Sequence, residues 1–235
     1  MLLNIEPDMD WAGSEAAKQA LLQAQTVIAL TPFQSESLRE LADVMLPVTP
    51  STETSGSFVS MEGRLQSFHG VVKPYAQSRP MWKVLRVIGN ELDLDGFDYT
   101  SSEEVLARAC INSDSIVGKL NNQVQNVAAT GLQAASALVR VGGVGIYQTD
   151  SVVRRSAPLQ ATVHAAIPAA SVHPKTLAAL QLTDAAQVVV KSGAASVLVT
   201  VVADETVAEN VVSLPLHPQN KVLGAMNNAI ELGRG

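Results

Sequence analysis

The chain has 235 residues, enough for one large or two small domains with ample core. A net charge of −6 argues against nucleic acid, since neutralising phosphate needs clustered Lys and Arg, and Arg154-Arg155 is the only adjacent arginine pair. Cys110, the single cysteine, excludes an intrachain disulfide and an iron–sulfur cluster held by this chain alone.

Charged residues are 16% of the chain, against the roughly 25% usual in soluble domains, while hydrophobic residues reach 47%. Two readings fit: a compact Ala/Val-rich domain under a thin polar shell, or a subunit that buries much of its surface against partners. No apolar run approaches the ~18–20 residues of a membrane helix, so direct membrane insertion is not expected. The start, Met1-Leu2-Leu3-Asn4-Ile5-Glu6-Pro7-Asp8, lacks the basic region of a signal peptide and reads as an internal segment of a longer chain.

In chain order, residues 14–25 have helix-forming composition, with Ser14 at the N-cap position. Val27 to Leu30, stopped by Thr31-Pro32, fits a buried parallel strand. Ser35 to Leu41 reads as a second helix and Val44 to Leu46 as a second strand ended by Pro47. Strand–helix–strand of this kind reads as part of a doubly wound α/β layer. A polar loop follows, with Ser51, Thr52, Glu53 and Thr54, and Gly56 and Gly63 then bracket a short alternating segment.

Residues 81–92 place Trp82, Leu85, Ile88 and Leu92 at helical spacing after Pro80, predicting an amphipathic helix. Ser101 with Glu104 forms a capping box opening a helix through Cys110. Cys110, between Ala109 and Ile111, reads as a small buried hydrophobe rather than a nucleophile. Residues 112–140 read as helix or a partly ordered connector. Gly142-Gly143-Val144-Gly145 follows as a linker; it lacks the Lys-Ser/Thr of a phosphate loop. Arg154 and Arg155 are expected to pair with carboxylates nearby, the planar guanidinium being suited to such contacts.

From Ala161 the pattern turns to β. Ala161 to Ile167 is a candidate strand, and His173 to Leu180 a short helix with Ser171 as N-cap. Gln187–Lys191 and Ala195–Val202 are β-branched runs joined by Ser192-Gly193, a hairpin signal, and Val211–Pro215 is another strand. Asn220 to Leu232 carries Val222, Leu223, Met226 and Ile230 at helical spacing and reads as a packing helix.

No chemistry stands out. None of His69, His164, His173 and His217 has zinc-ligand spacing, and there is no Gly-x-Ser-x-Gly elbow. Nothing assigns Glu53 and Glu62 separate acid and base roles. Glu62 and Arg64 are expected to form a polar pair fixing their loop, since a bidentate arginine–carboxylate contact holds one geometry.

Ala42 to Pro47, then Glu53, Gly56, Phe58, Glu62, Gly63, Arg64 and Gln66, resemble a pattern of the molybdopterin oxidoreductase superfamily, with Ser57 for the usual Thr and Ser60 for the usual Asn. Ser67 to Pro74 and Arg79-Pro80-x-Trp82-Lys83-Val84-Leu85-Arg86 narrow the likeness. They are similar to the C-terminal region of the large iron–sulfur subunit of bacterial NADH–quinone oxidoreductase (complex I). Tyr147, Asp150 and Val153-Arg154-Arg155 extend that likeness. His173-Pro174 resembles the start of the superfamily's closing barrel segment, in which Gln181 replaces the first Gly and Ala186 stands near the second.

The resemblance implies a partial α/β domain over 1–100, a helical connector over 101–157 and a small double-psi β-barrel, like a pterin dinucleotide-binding domain, over 158–235. It implies a structural role in the peripheral arm, on the cytoplasmic face of the inner membrane, contacting other peripheral-arm subunits while electrons pass from NADH to quinone. No cofactor is expected in this chain, with iron–sulfur clusters only upstream in the parent protein. The alternative it implies is the tail of a formate-dehydrogenase-like molybdopterin enzyme. In that case Gly56, Glu62, Arg64 and His173 would be the residues near the pterin dinucleotide.

Overall fold

The computed structural model describes residues 1–11, 14–109, 118, 123, 138–224 and 226–234. Two units separate by their internal packing. One comprises Met1–Asn4, Ile28–Gln34 and Ala42–Gly131, the other Ile5–Val27, Ser35–Leu41 and Leu132–Gly235. Cys110 and most of the 112–137 stretch read above as helix or connector lie outside the described residues.

The first unit holds a parallel sheet in the order β1 (Leu2–Leu3), β2 (Ile28–Thr31), β3 (Val44–Pro47). Leu2 faces Ala29 and Ile28 faces Val44 across the two ladders. Ala29 and Leu30 are buried, as expected of a central parallel strand with covered faces. Parallel strands need crossovers, and the chain supplies them through α1 (Pro7–Asp10), α2 (Ser14–Leu22) and α3 (Glu36–Leu41). The α/β expectation is met over this stretch.

After Pro47, Thr49 donates its amide to the Arg79 carbonyl at 3.0 Å and tethers the loop's return. Between them β4 (Gly56–Val59) and β5 (Leu65–Phe68) form an antiparallel hairpin. Its tip runs Ser60 to Arg64, with Gly63 at φ 81, a left-handed position that glycine takes without steric cost. Gly56 faces Phe68, whose ring edge would stand 2.8 Å from a Cβ, and Phe68 stacks on Phe58 at 5.5 Å between centroids.

α4 (Met81–Glu91) follows Pro80, and α5 (Ser102–Ala109) opens on Ser101, whose Oγ accepts the Glu104 amide at 3.2 Å. The Glu104 carboxylate reaches one residue further back than a capping box requires, accepting from the Thr100 amide at 2.7 Å and its hydroxyl at 2.8 Å. Leu92 corrects the expected apolar stripe: it caps α4 and is exposed.

The second unit is built around a closed six-stranded barrel. Its strands are β6 (Leu138–Val141), β7 (Ala170–Val172), β8 (Gln187–Ser192), β9 (Ala195–Ala203), β10 (Val211–Ser213) and β11 (Ala229–Arg234). Around the barrel the order is β10-β6-β11-β8-β9-β7, with β6–β10 and β7–β9 parallel and the other pairs antiparallel. Val172, Val188, Val190, Val201, Val212 and Ile230 point inward, the period-two burial of a barrel strand. The expected β8–β9 hairpin is present, turning at Gly193 with φ 56.

Four expectations are corrected in this unit. Ala161 to Ile167 holds a single 3₁₀ turn, Val163–Ala165, because Val163 and Ile167 are exposed and Pro168 removes a ladder donor. Asn220 to Leu232 is a turn followed by β11, not a helix. Gly224 adopts φ 78 and ends the turn, and Ile230 alternates with exposed Ala229 and Glu231. Leu138 to Val141, expected to belong to the connector, supplies a barrel strand. Short helices complete the unit: α6 (Ala157–Gln160) and α7 (Pro174–Ala179), the latter capped by His173 and not by Ser171.

Candidate functional site

Gly56, Glu62 and Arg64 share the β4–β5 hairpin. Gly56 is spent on the Phe68 ring. Glu62 and Arg64 are both exposed at the tip, and no ion pair joins them, which corrects the expected loop-fixing pair. The reason is local: Gly63 between them is left-handed, and the loop is closed instead by the Ser60 amide to the Arg64 carbonyl at 3.0 Å and the Arg64 amide to Ser60 Oγ at 3.2 Å. Ser60, at the position where the family pattern has Asn, therefore acts as a turn-closing side chain.

His173 lies in the barrel unit. Its Nδ1 accepts the Lys175 amide at 3.1 Å, which makes it the cap of α7. His217 is also engaged, Nδ1 accepting from the Gln219 amide at 3.3 Å, and burial pushes its imidazole below the usual range. Among the described residues no group of three His, Cys, Asp or Glu is arranged to hold a metal ion.

The polar centre of the second unit is a residue that sequence reasoning missed. Arg140, on β6, is fully buried. Its Nε donates to the Leu214 carbonyl at 3.0 Å and its Nη2 to Asn220 Oδ1 at 2.9 Å, while Nη1 reaches the Gly224 carbonyl at 3.4 Å. Burial pushes its guanidinium below the ordinary arginine value. Asn220 completes the knot, donating to the Pro215 carbonyl and accepting from the His217 amide, both at 2.9 Å. The signal was a lone Arg inside an apolar run, Leu138-Val139-Arg140-Val141.

A second cluster ties α1 to the segment before α6. Glu6 is 4% exposed and accepts two parallel bonds from Arg155, at 2.8 and 3.1 Å. Arg154 donates to Asp10 at 2.9 Å and to the Gln148 carbonyl at 3.0 Å. Asp8 accepts from Lys221 at 2.6 Å and from Ser37 at 2.5 Å. The expected pairing of Arg154 and Arg155 with carboxylates is present, with partners nearly 150 positions away in sequence.

Gly142 explains the glycine-rich stretch. A Cβ there would stand 2.8 Å from the Pro215 backbone, and the Leu214 and Leu216 amides bond to the Val141 and Gly143 carbonyls at 2.8 Å. Close backbone approach by the chain itself is what Gly142 serves.

A parallel α/β sheet in one unit and a closed six-stranded barrel in the other define a mixed α/β protein with a barrel domain. Residues 1–91 match the molybdopterin oxidoreductase family and residues 138–232 match the molydopterin dinucleotide binding domain. Proteins named "Putative formate dehydrogenase" from Staphylococcus aureus strains bovine RF122 / ET3-1 and MRSA252 are each 38% identical over 65 residues, 28% of this chain and 6% of theirs. The chain thus matches a small part of the length of these relatives. Acetylene hydratase from Pelobacter acetylenicus shares the fold, with a TM-score of 0.62 over 97% of this chain and 43% of that one, at 14% identity. No helix among the described residues is long and apolar enough to cross a membrane.

The family implies a pterin dinucleotide, a polyanion through its pyrophosphate, which calls for free cations or a backbone cradle. Arg140, Arg154, Arg155 and Lys221 are bonded to acceptors inside the barrel unit and are not free for it, and Gly142 is closed off by the Pro215 backbone; Arg39, Lys175 and Lys191 are exposed cations of the same unit.

Proposed function

We propose that this chain is a non-catalytic, structural part of the large iron–sulfur subunit in the peripheral arm of NADH–quinone oxidoreductase, on the cytoplasmic face of the membrane. It supports electron transfer from NADH to quinone through contacts with neighbouring subunits, and clusters belong to upstream parts of the parent. The barrel is read as a double-psi barrel that has kept its fold and given up its ligand. The observation that carries this reading is the internal use of Arg140, Arg154, Arg155 and Lys221, centred on fully buried Arg140. The likeness of residues 67–99 and 147–155 to that large complex I component supports it, as does the low charged fraction of 16%.

A second reading has one specific support, the name carried by the Staphylococcus aureus relatives. The chain would then be the tail of a formate-dehydrogenase-like enzyme and help bind the pterin dinucleotide, with Gly56, Glu62, Arg64 and His173 nearest to it.

The two separate cleanly. The parent protein is purified from its host, assayed for molybdenum and tungsten by mass spectrometry and for oxidised pterin by fluorescence, and probed for co-purifying complex I subunits. The structural reading expects neither metal nor pterin and stoichiometric complex I subunits. Stoichiometric pterin overturns it.

A further inference from the structure

The loop between α4 and α5 carries a peptide bond that the fold leaves open to rearrangement. Asp95-Gly96 is the chain's single Asp-Gly pair, and no Asn-Gly occurs. Both residues are exposed, in the first unit. The loop is tied on either side of them. Before the pair, the Leu94 amide donates to the Gly89 carbonyl at 2.9 Å. After it, the Phe97 ring packs on Gly89, and Arg86 Nη1 donates to the Tyr99 carbonyl at 3.0 Å.

Between these ties the backbone is unheld. No amide from Asp95 to Tyr99 donates a hydrogen bond among the described residues. The Asp95 carboxylate accepts none there either, whereas Asp150, Asp184 and Asp204 accept the amides of Val152, Ala203 and Thr206. Gly96 sits at φ 83, and a Cβ built on it would meet nothing within 4 Å. An aspartyl residue closes a ring on its own backbone when its carboxyl is uncommitted, the next amide is free to attack, and the attacking residue has no side chain. All three conditions meet here, with open space around them, in a segment without bonds to hold it closed.

We propose that Asp95-Gly96 is a site of aspartate isomerisation whose product is a substrate for a carboxyl methyltransferase that uses S-adenosylmethionine. The Gly96 nitrogen attacks Cγ of the protonated Asp95 carboxyl. The N–Cγ bond forms, the Cγ–OH bond breaks, and the amide hydrogen leaves with the hydroxyl as water, giving a cyclic succinimide. Water then opens the ring. Cleavage of the N–Cγ bond restores aspartate. Cleavage of the bond from nitrogen to the Asp95 backbone carbonyl carbon leaves the chain running through Cγ and frees the former carbonyl as a carboxylate. This isoaspartyl form has an unchanged mass and one extra methylene in the main chain, placed between the Leu94 tie and Phe97. Its new carboxylate takes the methyl group of S-adenosylmethionine, and S-adenosylhomocysteine leaves. Attack by the same Gly96 nitrogen then expels methanol and regenerates the succinimide. The chemistry needs no bound ligand and holds under either reading of the function.

The test ages the folded parent protein at growth temperature in water enriched in the heavy oxygen isotope, followed by digestion and peptide mapping. The peptide spanning residue 95 is expected to gain one heavy oxygen atom and to split into two species of equal mass. One of them resists an Asp-specific protease at position 95. Purified isoaspartyl methyltransferase with labelled S-adenosylmethionine is expected to mark that species. Asp95→Glu should abolish the mark, because a six-membered ring closes far more slowly, and Asp95→Asn should raise it by an order of magnitude, because ammonia leaves more readily at neutral pH. Both changes are on the surface and leave the melting curve in place. The folded rate is expected within an order of magnitude of that of a free peptide of residues 91–100, since no bond restrains the loop. An aged peptide without heavy oxygen overturns the proposal, as does a mark that survives Asp95→Glu or a folded rate far below that of the free peptide.

Discussion

Arg155 holds Glu6 by two parallel bonds, Nη1 to Oε1 at 2.8 Å and Nη2 to Oε2 at 3.1 Å, joining positions 149 apart in sequence. The Glu6 side chain is 5% exposed and Arg154, beside it, 6%. Removing the carboxylate deprives Arg155, whose side chain is 33% exposed, of its fork partner, while Arg154 keeps Asp10. Glu6→Gln is expected to destabilise the second unit by about 2 kcal/mol, between the scale of a surface pair and that of a buried one. Arg155→Lys, which keeps charge but loses the fork, should cost about 1 kcal/mol. Urea midpoints of the two variants check the order, and equal midpoints would remove the pair from the stability argument.

Asp8 gives the fold an acid limit. Burial raises its pKa, but the bonds from Lys221 and Ser37 together outweigh that and hold the carboxyl below the usual aspartate value. A depressed folded-state pKa means stability that is complete above the ordinary aspartate range and is lost as pH falls through the folded value. Thermal midpoints of wild type and Asp8→Asn should therefore differ most at neutral pH and converge in acid. A constant gap down to the lowest pH would show that the ion pair contributes nothing through ionisation.

Arg140 tests whether the barrel's centre depends on one side chain. Arg140→Met keeps much of the volume but leaves the Leu214 carbonyl without its donor in a buried site, while Asn220 Oδ1 keeps the His217 amide. The expected loss is about 1–3 kcal/mol, the cost of one unsatisfied buried acceptor. Arg140→Lys should recover part of it, since one ammonium reaches fewer of the acceptors than the guanidinium fork. Denaturant titration followed by far-ultraviolet circular dichroism measures both.

Much of the fold was legible where local pattern and tertiary role agree. Val188 to Val190 and Val197 to Val201 are β-branched runs bounded by a Ser-Gly turn, and they form the β8–β9 hairpin. Ser101 and Glu104 mark the start of α5. What stayed illegible depends on distant pairing. β6 is a four-residue strand whose partners are Val211 to Ser213 and Ala229 to Ile230, and nothing near it in sequence signals that. β11 carries Val222, Leu223, Met226 and Ile230 upstream and within it at helical spacing, yet the left-handed Gly224 and pairing with both β6 and β8, which closes the barrel, decide for strand. At the hairpin the motif residues were visible, but not their geometry. Glu62 and Arg64 diverge because Gly63 turns the backbone between them. Arg140 shows the same limit, since a lone Arg among valines announces burial only once its acceptors, more than 70 positions away, are in place.

Gly89 sits inside α4, where alanine would favour helix by about 1 kcal/mol. Here a Cβ would stand 2.3 Å from Phe97 ring carbons, the ring packing directly on the helix backbone. Gly89→Ala should therefore destabilise the first unit by roughly 1–3 kcal/mol, the cost of overpacking, despite the better propensity. Gly89→Ala with Phe97→Leu should recover part of the loss. A stabilised single variant would place Phe97 elsewhere in solution.

Gln181 and Ala185 occupy left-handed backbone at φ 54 and φ 58, in the segment where the family pattern has glycines. The second lies at Ala185, one residue before the Ala186 expected from sequence. The turn holds a glycine-type conformation on an L-residue, fixed by the Ala185 amide to the Val201 carbonyl at 3.1 Å and the Ala203 amide to Asp184 at 2.8 Å. An L-residue in this region carries about 1–2 kcal/mol of strain, and glycine releases it while adding about 0.4–1 kcal/mol of unfolded-state entropy cost. Ala185→Gly is therefore expected to stabilise the barrel by up to about 1 kcal/mol. Ala178→Gly, in the exposed face of α7, is expected to destabilise it by a similar amount. Opposite signs in one set of melting curves would establish that the barrel retains a glycine-shaped turn. Destabilisation by both would mean that the turn relaxes out of the left-handed region when alanine is present.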